Sequence, residues 1–207
     1  MKVFIIGATG FIGAGILAES LRRNHEVTAI VRNSKKIPKH ANLTVVEGDA
    51  TVPDTLAPLV MGQDVVISAF NPGKDETGAG ARSIVDGVKR SGVKRLLIVG
   101  GAGTLEVAPG KRLVDDPHFP QEWKTGALRT ADFLELLRAE CELDWVFLSP
   151  AALIAPGERT EKYRVGGDQL LTGSDGQSRI SIEDYAVAML NEAEKPEHSR
   201  ARFSVAY

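Results

Sequence analysis

Three glycines that directly follow a short apolar run restrict the fold of this chain more than any other feature. Residues 3–6, Val-Phe-Ile-Ile, are typical of a strand that is buried on both faces, and the residues from 11 onward are typical of a helix. Gly7, Gly10 and Gly13 therefore lie in the turn between the two. Such a turn presents unpaired helix amides and the positive end of the helix dipole to an anion, for example a diphosphate.

Each glycine of this turn has its own role in a dinucleotide-binding unit. The first allows the tight turn, the second lets a diphosphate approach the backbone, and the third lets the helix pack against the strand. A glycine-rich turn also occurs wherever a strand reverses sharply into a helix, but here the helix is amphipathic and a second strand, at 26–31, follows at once. We therefore predict that a dinucleotide binds along Gly7, Ala8, Thr9, Gly10, Phe11, Ile12 and Gly13.

Length, charge and cysteine content narrow the class of protein. The chain has 207 residues, within the range of a single domain, and its net charge of −2 favours no nucleic-acid partner. The apolar run at 3–6 is too short for a signal-peptide core or a membrane span, and the single cysteine, Cys141, cannot form an internal disulfide. We expect a cytoplasmic protein without a membrane partner, present as a monomer or a homodimer.

Strand-like and helix-like segments alternate as far as residue 149. Further strands are predicted at 43–46, 64–68, 95–99 and 144–149, with helices at 53–60, 78–90 and 121–140 between them. Apolar strands separated by helices predict an α/β fold, a doubly wound parallel sheet. We expect one domain over 1–207, in which 1–149 is the dinucleotide-binding core and 150–207 is a short C-terminal extension on the substrate side, with a helix at 182–194 and a strand at 202–207.

The longest stretch without periodicity covers residues 104–120, after the fifth predicted strand. Loops of that length are often lids or binding loops, and a disordered surface excursion is the alternative. The stretch contains His118, which can reach the site but is expected to be solvated. Cys141 continues the spacing of a helical face and is expected to pack in the core. No set of His, Cys and carboxylate residues has metal-ligand spacing, so no metal is predicted.

The end of the second strand selects between dinucleotides. A carboxylate there binds the ribose hydroxyls, whereas an arginine accommodates a 2′-phosphate. Arg32 occupies this position, and residues 33–36 include no carboxylate. Because a guanidinium binds phosphate through two parallel hydrogen bonds, we predict NADP(H) as the preferred cofactor and NAD(H) as the alternative.

Two further strand ends are expected at the same crevice, since ligands of such sheets lie outside the carboxyl ends of the strands. After the third strand, Asp49 followed by Ala50 is predicted to meet the adenine. After the fourth, Ser68, Ala69 and Phe70 are predicted to line the path of the diphosphate and ribose. A turn-forming aspartate and an ordinary strand end are the purely structural alternatives.

Motifs over nearly the whole chain resemble those of the atypical short-chain dehydrogenase/reductases. They are Gly-Ala-Thr-Gly-Phe-Ile-Gly at 7–13, Gly-Asp at 48–49, Leu-Ser-Pro-Ala at 148–151, Pro-Gly at 156–157 and Ile-Ser-Ile-Glu-Asp-Tyr-Ala at 180–186. Within that group the chain is most similar to the NADH-flavin reductases related to biliverdin reductase B. The resemblance implies a Rossmann fold and an NAD(P)H-dependent oxidoreductase. Gly101, after the fifth predicted strand, and Ser149, Pro150 and Ala151, at the end of the sixth, are expected to border the nicotinamide.

The chain departs from this superfamily at the residues that catalyse in its typical members. Those use a serine after the fifth strand and a Tyr-x-x-x-Lys pair; here the strand is followed by Gly-Gly-Ala-Gly, and no tyrosine precedes a lysine at that spacing. Reduction of a simple carbonyl relies on an acid worth about 10²–10⁴ in rate, whereas a flavin-like or quinone-like acceptor delocalises the incoming electrons. We therefore expect a reductase of such acceptors with no assigned catalytic residue; the alternatives are an NmrA-like sensor and a nucleotide-sugar epimerase or dehydratase.

Overall fold

One sheet of eight strands, covered by helices on both faces, organises the chain. The computed structural model describes residues 1–207 apart from the side chain of Lys36. The helices are α1 (Gly13–Arg22), α2 (Pro53–Val60), α3 (Ala79–Ser91), α4 (Gln121–Arg138) and α5 (Ile182–Glu194). The strands are β1 (Lys2–Ile6), β2 (Glu26–Val31), β3 (Leu43–Glu47), β4 (Val65–Ser68), β5 (Arg95–Val99), β6 (Glu106–Ala108), β7 (Lys111–Arg112), β8 (Asp144–Ser149), β9 (Leu153–Ala155), β10 (Arg164–Gly166), β11 (Arg179–Ser181) and β12 (Ala201–Ala206).

The strand order confirms the predicted doubly wound α/β sheet. It is β10-β12-β8-β5-β4-β1-β2-β3, and every neighbouring pair is parallel except β10 with β12. The chain winds outward from β1 to β3 and then returns to the other side of β1 with β4. The winding therefore reverses between β1 and β4, and ligands of such sheets bind at this reversal, outside the carboxyl ends of the strands.

Alternate side chains of the central strands enter two separate hydrophobic cores. In β1, Val3 and Ile5 pack with α1 and α5 on one face of the sheet. Phe4 and Ile6 pack with α2, α3 and α4 on the other face. Burial on both faces explains why these strands are almost uninterrupted apolar runs. Within the described residues, no helix has both the length and the apolar character needed to cross a membrane.

The observed bounds depart from the predicted ones mainly at helix ends. α1 begins at Gly13 rather than at 11, and α4 ends at Arg138 rather than at 140. Because α4 ends early, Cys141 lies beyond it and is exposed, so the prediction that it packs in the core is wrong. The buried side chains of Leu143 and Trp145 continue the core there instead.

The aperiodic stretch at 104–120 is fixed by contacts with the C-terminal extension. It forms the antiparallel pair β6–β7, followed by a 3₁₀ turn at Leu113–Asp115. The amide of Glu106 donates to the carbonyl of Asp168 at 2.8 Å, and the side chain of Leu105 is buried. The interpretation of this stretch as a disordered surface excursion is therefore wrong.

A buried carboxylate joins α1 to the extension. Glu19 is only 4% exposed and accepts hydrogen bonds from Arg22, Arg23 and Arg159 at 2.7–2.9 Å. Burial by itself would raise the pKa of Glu19, but the bonds from the three guanidinium groups outweigh it and hold the pKa well below its ordinary value. Since Arg159 belongs to the extension, this network fixes the extension against the helix that follows the glycine turn.

We predict that Glu19→Gln lowers the free energy of unfolding at pH 7 by about 3 kcal/mol, because it leaves guanidinium groups without their buried counter-charge. The folded-state pKa is depressed, so the ionised form stabilises the fold above the unfolded pKa of about 4.3 and this stabilisation is lost as pH falls below it. Urea unfolding of both proteins between pH 7 and pH 3 measures the difference.

The matched control for this experiment is Glu135→Gln. Glu135 is exposed, and its ion pair among the described residues is with Arg138, three residues along the same helix. Its replacement is expected to change the free energy of unfolding by less than about 0.5 kcal/mol. A difference between wild type and Glu19→Gln that does not shrink toward acid pH would contradict the assigned role of the Glu19 charge.

Candidate functional site

The glycine turn between β1 and α1 has no space for side chains at two of its glycines. An ideal Cβ on Gly13 would lie 2.1 Å from the carbonyl oxygen of Gly7, and one on Gly7 would lie 2.6 Å from the carbonyl oxygen of Ala69. Gly7 also has φ of +80°, in the left-handed region that favours glycine. The turn is therefore compressed between α1 and the residue that follows β4.

The amino end of α1 is open to an anion. Its capping residue, Ile12, has no side-chain oxygen to accept from the first amides, and the first turn contains no carboxylate. Gly10 is exposed, and a Cβ there would meet only a carbonyl oxygen of the same turn, at 3.2 Å. Ala8 is buried, whereas Thr9 and Phe11 are exposed. Unpaired amides, the helix dipole and an approachable backbone together fit a diphosphate.

Opposite charges lie where β2 and β3 end. Arg32 is exposed directly after β2, and Asp49 is exposed just after β3. The hydroxyl and amide of Thr51 donate to Asp49 Oδ1 at 2.7 and 2.9 Å. These bonds, and to a lesser extent the charge of Arg32, hold the pKa of Asp49 below its ordinary value, so Asp49 is ionised and lies near Arg32. Ala50, which follows, is half-buried.

The end of β4 is held against β1 rather than turned toward solvent. Ser68 is fully buried, and its Oγ accepts a hydrogen bond from the amide of Phe70 at 3.3 Å. The amide of Ala69 donates to the carbonyl of Ile6 at 2.9 Å. Ala69 and Phe70 are half-buried. Of these three side chains, only those of Ala69 and Phe70 are therefore accessible to a ligand.

A cavity of about 820 Å³ opens beside the carboxyl ends of β5 and β8. Four of the residues predicted to bind cofactor line it, namely Ile12, Gly101, Pro150 and Ala151. Because Ile12 belongs to the glycine turn, the cavity adjoins the place suited to a diphosphate. Ser149 is not part of the lining: its side chain is fully buried, and its Oγ has no hydrogen-bond partner among the described residues.

One face of α4 forms a wall of this cavity. Four residues at helical spacing on α4 line the cavity: Trp123, Gly126, Ala127 and Thr130. Thr130 Oγ1 donates to the carbonyl of Gly126 at 2.8 Å, which occupies the hydroxyl within the helix. A Cβ on Gly126 would have no neighbour closer than 4.0 Å, so the cavity has free space at this position. The wall is made of small residues with one aromatic ring at its outer end.

The ordered stretch at 104–120 supplies the rim of the cavity. Asp116, His118 and Phe119 line it from this side. Asp116 Oδ1 accepts from the amide of His118 at 2.9 Å, and this bond, followed by one from Lys111, holds the pKa of Asp116 below its ordinary value. His118 is exposed, as expected for a solvated loop histidine, yet it stands at the cavity edge. Trp123, at the start of α4, is 53% exposed beside it.

All three tyrosines are engaged away from the cavity. The hydroxyl of Tyr185 donates to the carbonyl of Leu148 at 2.7 Å, and complete burial raises its pKa well above the ordinary value. The hydroxyl of Tyr207 donates to Asp184 at 2.8 Å, and that of Tyr163 accepts from Asn191 at 2.8 Å. Nor do three His, Cys, Asp or Glu side chains of the described residues come together as a metal site requires.

Comparison with known proteins assigns the chain to a family. A family model for NAD(P)H-binding domains matches residues 7–193, which is most of the chain. The chain belongs to the NAD(P)H-binding family. YwnB of Bacillus subtilis (strain 168), an uncharacterised protein, is 41% identical to it over 99% of this chain and 98% of its own length.

Two solved structures of similar proteins cover the whole chain. A candidate epimerase of Bacteroides thetaiotaomicron is 46% identical and superposes with a TM-score of 0.96, over 100% of this chain and 96% of its own. A candidate NADH-flavin reductase of Streptococcus pneumoniae TIGR4 is 37% identical with a TM-score of 0.85, over 100% and 99%. The resemblance to atypical short-chain dehydrogenase/reductases is thereby confirmed, and relatives with the same fold carry different functional names.

Sequence reasoning missed the residues of this NAD(P)H-binding protein that come from the 3₁₀ turn after β4 and from α4. Asn71, Gly73 and Lys74 line the cavity, and so does Gly126. The small residues Gly126 and Ala127, one turn after Trp123, were the available signal, because small residues on one helix face leave room for a neighbour. Small residues do not indicate which part of the chain or which ligand lies opposite them, so the cavity is recognised only in the three-dimensional structure.

We predict that Gly13→Ala and Gly10→Ala separate the structural and binding roles of the turn. The Gly13 variant places a methyl 2.1 Å from a carbonyl oxygen, so we expect a loss of about 3 kcal/mol or more in the free energy of unfolding. The Gly10 variant is expected to fold with a loss below about 1 kcal/mol but to bind NADPH about tenfold more weakly, because its methyl stands where a diphosphate approaches.

Thermal unfolding and a fluorescence titration with NADPH measure both effects. If the free energy of unfolding of Gly13→Ala equals that of wild type, a methyl group fits between α1 and the turn, which would contradict their close approach. If Gly10→Ala binds NADPH like wild type, the diphosphate does not lie along the turn.

Proposed function

We propose that the protein is an NADPH-dependent reductase that transfers hydride to a broad planar acceptor of the flavin or quinone type. The observation that carries this proposal is the cavity of about 820 Å³ that adjoins the glycine turn. It is large enough for a drug-sized or ring-system ligand. Its lining combines small residues on the walls with aromatic rings at the rim, and its described residues include no tyrosine.

The residues present fit the cofactor from end to end. The glycine turn and the uncapped amino end of α1 suit the diphosphate. Arg32 would hold the 2′-phosphate, and Asp49 would meet the adenine. Gly101, Pro150 and Ala151 line the cavity at the carboxyl ends of β5 and β8, so they would border the nicotinamide. When bound, NADPH supplies the hydride.

The protein's own contribution is orientation. Gly126 leaves free space in the cavity wall, because a Cβ there would have no neighbour closer than 4.0 Å, and a planar acceptor would use that space to lie against the nicotinamide plane. Phe119 and Trp123 at the rim supply aromatic surface for stacking. A conjugated acceptor delocalises the charge that hydride transfer brings, and water supplies the proton. The protein therefore needs only to hold the nicotinamide and the acceptor face to face.

Epimerisation is the second candidate, because the 46% identical Bacteroides protein carries that name. The positions of the tyrosines argue against it, since Tyr185 is buried with its hydroxyl bonded to the backbone and the other two bond to residues of α5. Turnover of a nucleotide sugar with retention of tightly bound oxidised cofactor would establish it. Equal affinity for oxidised and reduced cofactor without any turnover would instead indicate a sensor protein.

We predict that purified protein accelerates the loss of NADPH absorbance when FMN, riboflavin or a quinone is added. Gly126→Leu fills free space in the cavity and is expected to lower kcat/KM for the acceptor by about 10-fold or more while NADPH affinity stays within about twofold. Gly126→Ala adds a single methyl in open space and serves as the matched control. No turnover by wild type with any acceptor of a broad panel would refute the proposed reaction.

We predict that Arg32→Glu weakens NADPH binding by at least about tenfold and NADH binding far less, because a charge-assisted bond to the 2′-phosphate is replaced by repulsion. Dissociation constants for the two cofactors, measured by fluorescence, test this. Equal losses for both cofactors would show that Arg32 does not contact the 2′-phosphate.

A further inference from the structure

Of the described residues that line the cavity of about 820 Å³, Lys74 is the only lysine or arginine. It ends the 3₁₀ turn at Pro72–Lys74, which follows β4. Asn71 Oδ1 accepts a hydrogen bond from the amide of Gly73 at 2.8 Å, and Asn71 and Gly73 line the same cavity. The bond fixes the turn, so the side chain of Lys74 extends from a defined point at the cavity.

The turn that carries Lys74 lies against the part of the α4 wall that has free space. An ideal Cβ on Gly73 would lie 3.6 Å from Gly126 Cα, so the backbones of the turn and of α4 are neighbours there. Lys74 follows Gly73 in the chain, and both line the cavity together with Gly126. The ammonium group is therefore within side-chain reach of the space that Gly126 leaves open.

The two carboxylates that follow Lys74 in the chain belong to a different cavity. Asp75 Oδ2 accepts a hydrogen bond from the amide of Ala81 at 3.0 Å, at the start of α3. Asp75 and Glu76 line a smaller cavity of about 250 Å³ between α3 and α4, and Lys74 is not part of that lining. The chain therefore turns at Lys74, with the lysine facing one cavity and the carboxylates facing the other.

The acidic residues of the larger cavity have their own sources of positive charge. Asp116 pairs with Lys111 at 3.3 Å and accepts from the amide of His118 at 2.9 Å. Glu122 lies in the first turn of α4, where the positive end of the helix dipole offsets its charge. Lys74 is exposed, and no ion pair joins it to another described residue. Its positive charge is therefore available to a ligand.

We propose that Lys74 is a specificity residue of this cavity and that the acceptor it selects bears an anionic group, as a phosphorylated flavin does. The inference rests on the proposed function, in which the acceptor lies against the α4 wall. An ammonium group forms a charge-assisted hydrogen bond with a phosphate, and an acceptor without an anionic group cannot form that bond. FMN and riboflavin share one ring system and differ by a phosphate, so the protein is expected to prefer FMN.

Binding and turnover of these two flavins test the role of Lys74. We would measure kcat/KM at saturating NADPH, and flavin dissociation constants from the quenching of flavin fluorescence in the presence of NADP⁺, for wild type, Lys74→Met and Lys74→Arg. We expect wild type to favour FMN over riboflavin by about fivefold or more in both measurements, and by less at high salt. Lys74→Met is expected to bring this ratio to about one while riboflavin stays within about twofold, and Lys74→Arg to keep the preference.

The matched control is Lys124→Met. Lys124 lies on α4 next to Trp123 but is not part of the cavity lining. Its replacement is expected to leave the ratio of FMN to riboflavin within about twofold of wild type, because an exposed charge outside the cavity is screened. NADPH affinity is measured for every variant. If Lys74→Met loses as much affinity for NADPH as for FMN, the residue belongs to the cofactor site and the inference is overturned.

The outcomes separate this inference from the proposed function. If wild type binds and reduces both flavins equally well, Lys74 does not select an anionic group, and the proposed reductase activity stands. If wild type binds FMN more tightly than riboflavin, Lys74→Met does not, and no acceptor is ever reduced, then the role of Lys74 in recognition holds and the proposed reaction fails. If neither flavin binds or is reduced, both proposals fail.

Discussion

The close approach of α1 to the turn that precedes it is the constraint on which the rest of the structure depends. At Gly13 the helix lies so near the Gly7 carbonyl that a methyl group does not fit, and at Gly15 an ideal Cβ would lie 2.4 Å from Ile182 Cγ2, at the start of α5. One helix therefore packs on the turn at its amino end and on the C-terminal extension along its side. The same helix carries Glu19, which fixes Arg159 of the extension. The part suited to cofactor and the part that borders the cavity are thus positioned by a single element.

Much of the fold was predictable because its central strands are buried on both faces. The bounds of β2, β5 and β8 match the predicted ranges, as do those of α2 and α5. The short strands β6, β7, β9 and β11 were not predictable, because they depend on pairing with distant residues rather than on a pattern of their own. The position of Cys141 was mispredicted for a similar reason. Its spacing continues the apolar face of α4, but the helix ends at Arg138 because the chain then turns toward β8, and Cys141 is exposed.

The candidate site was predictable where topology alone places residues at strand ends. Gly101, Pro150 and Ala151 border the cavity because the carboxyl ends of parallel strands share one edge. Sequence does not show which way a side chain turns at such an end. Ser149 and Ser68 lie at the same edge, yet both side chains are buried; Ser68 Oγ accepts from the Phe70 amide, and Ser149 Oγ has no partner among the described residues. The α4 wall was missed because its orientation depends on the ordered stretch that precedes it.

The two ends of the candidate site differ in the charge of the side chains that line them. At the ends of β2 and β3, Arg32 and Asp49 are charged and close to each other, and under the proposed assignment they would recognise the adenosine part of the cofactor through charge. At the cavity end, the α4 wall is made of the uncharged residues Gly126, Ala127 and Thr130, and the ionisable residues of the lining are Lys74, Asp116, His118 and Glu122. Under the proposed function, an acceptor would be held by the shape of the α4 wall and by stacking on Phe119 and Trp123, which suits a flat conjugated ring better than a small carbonyl compound that depends on an acid.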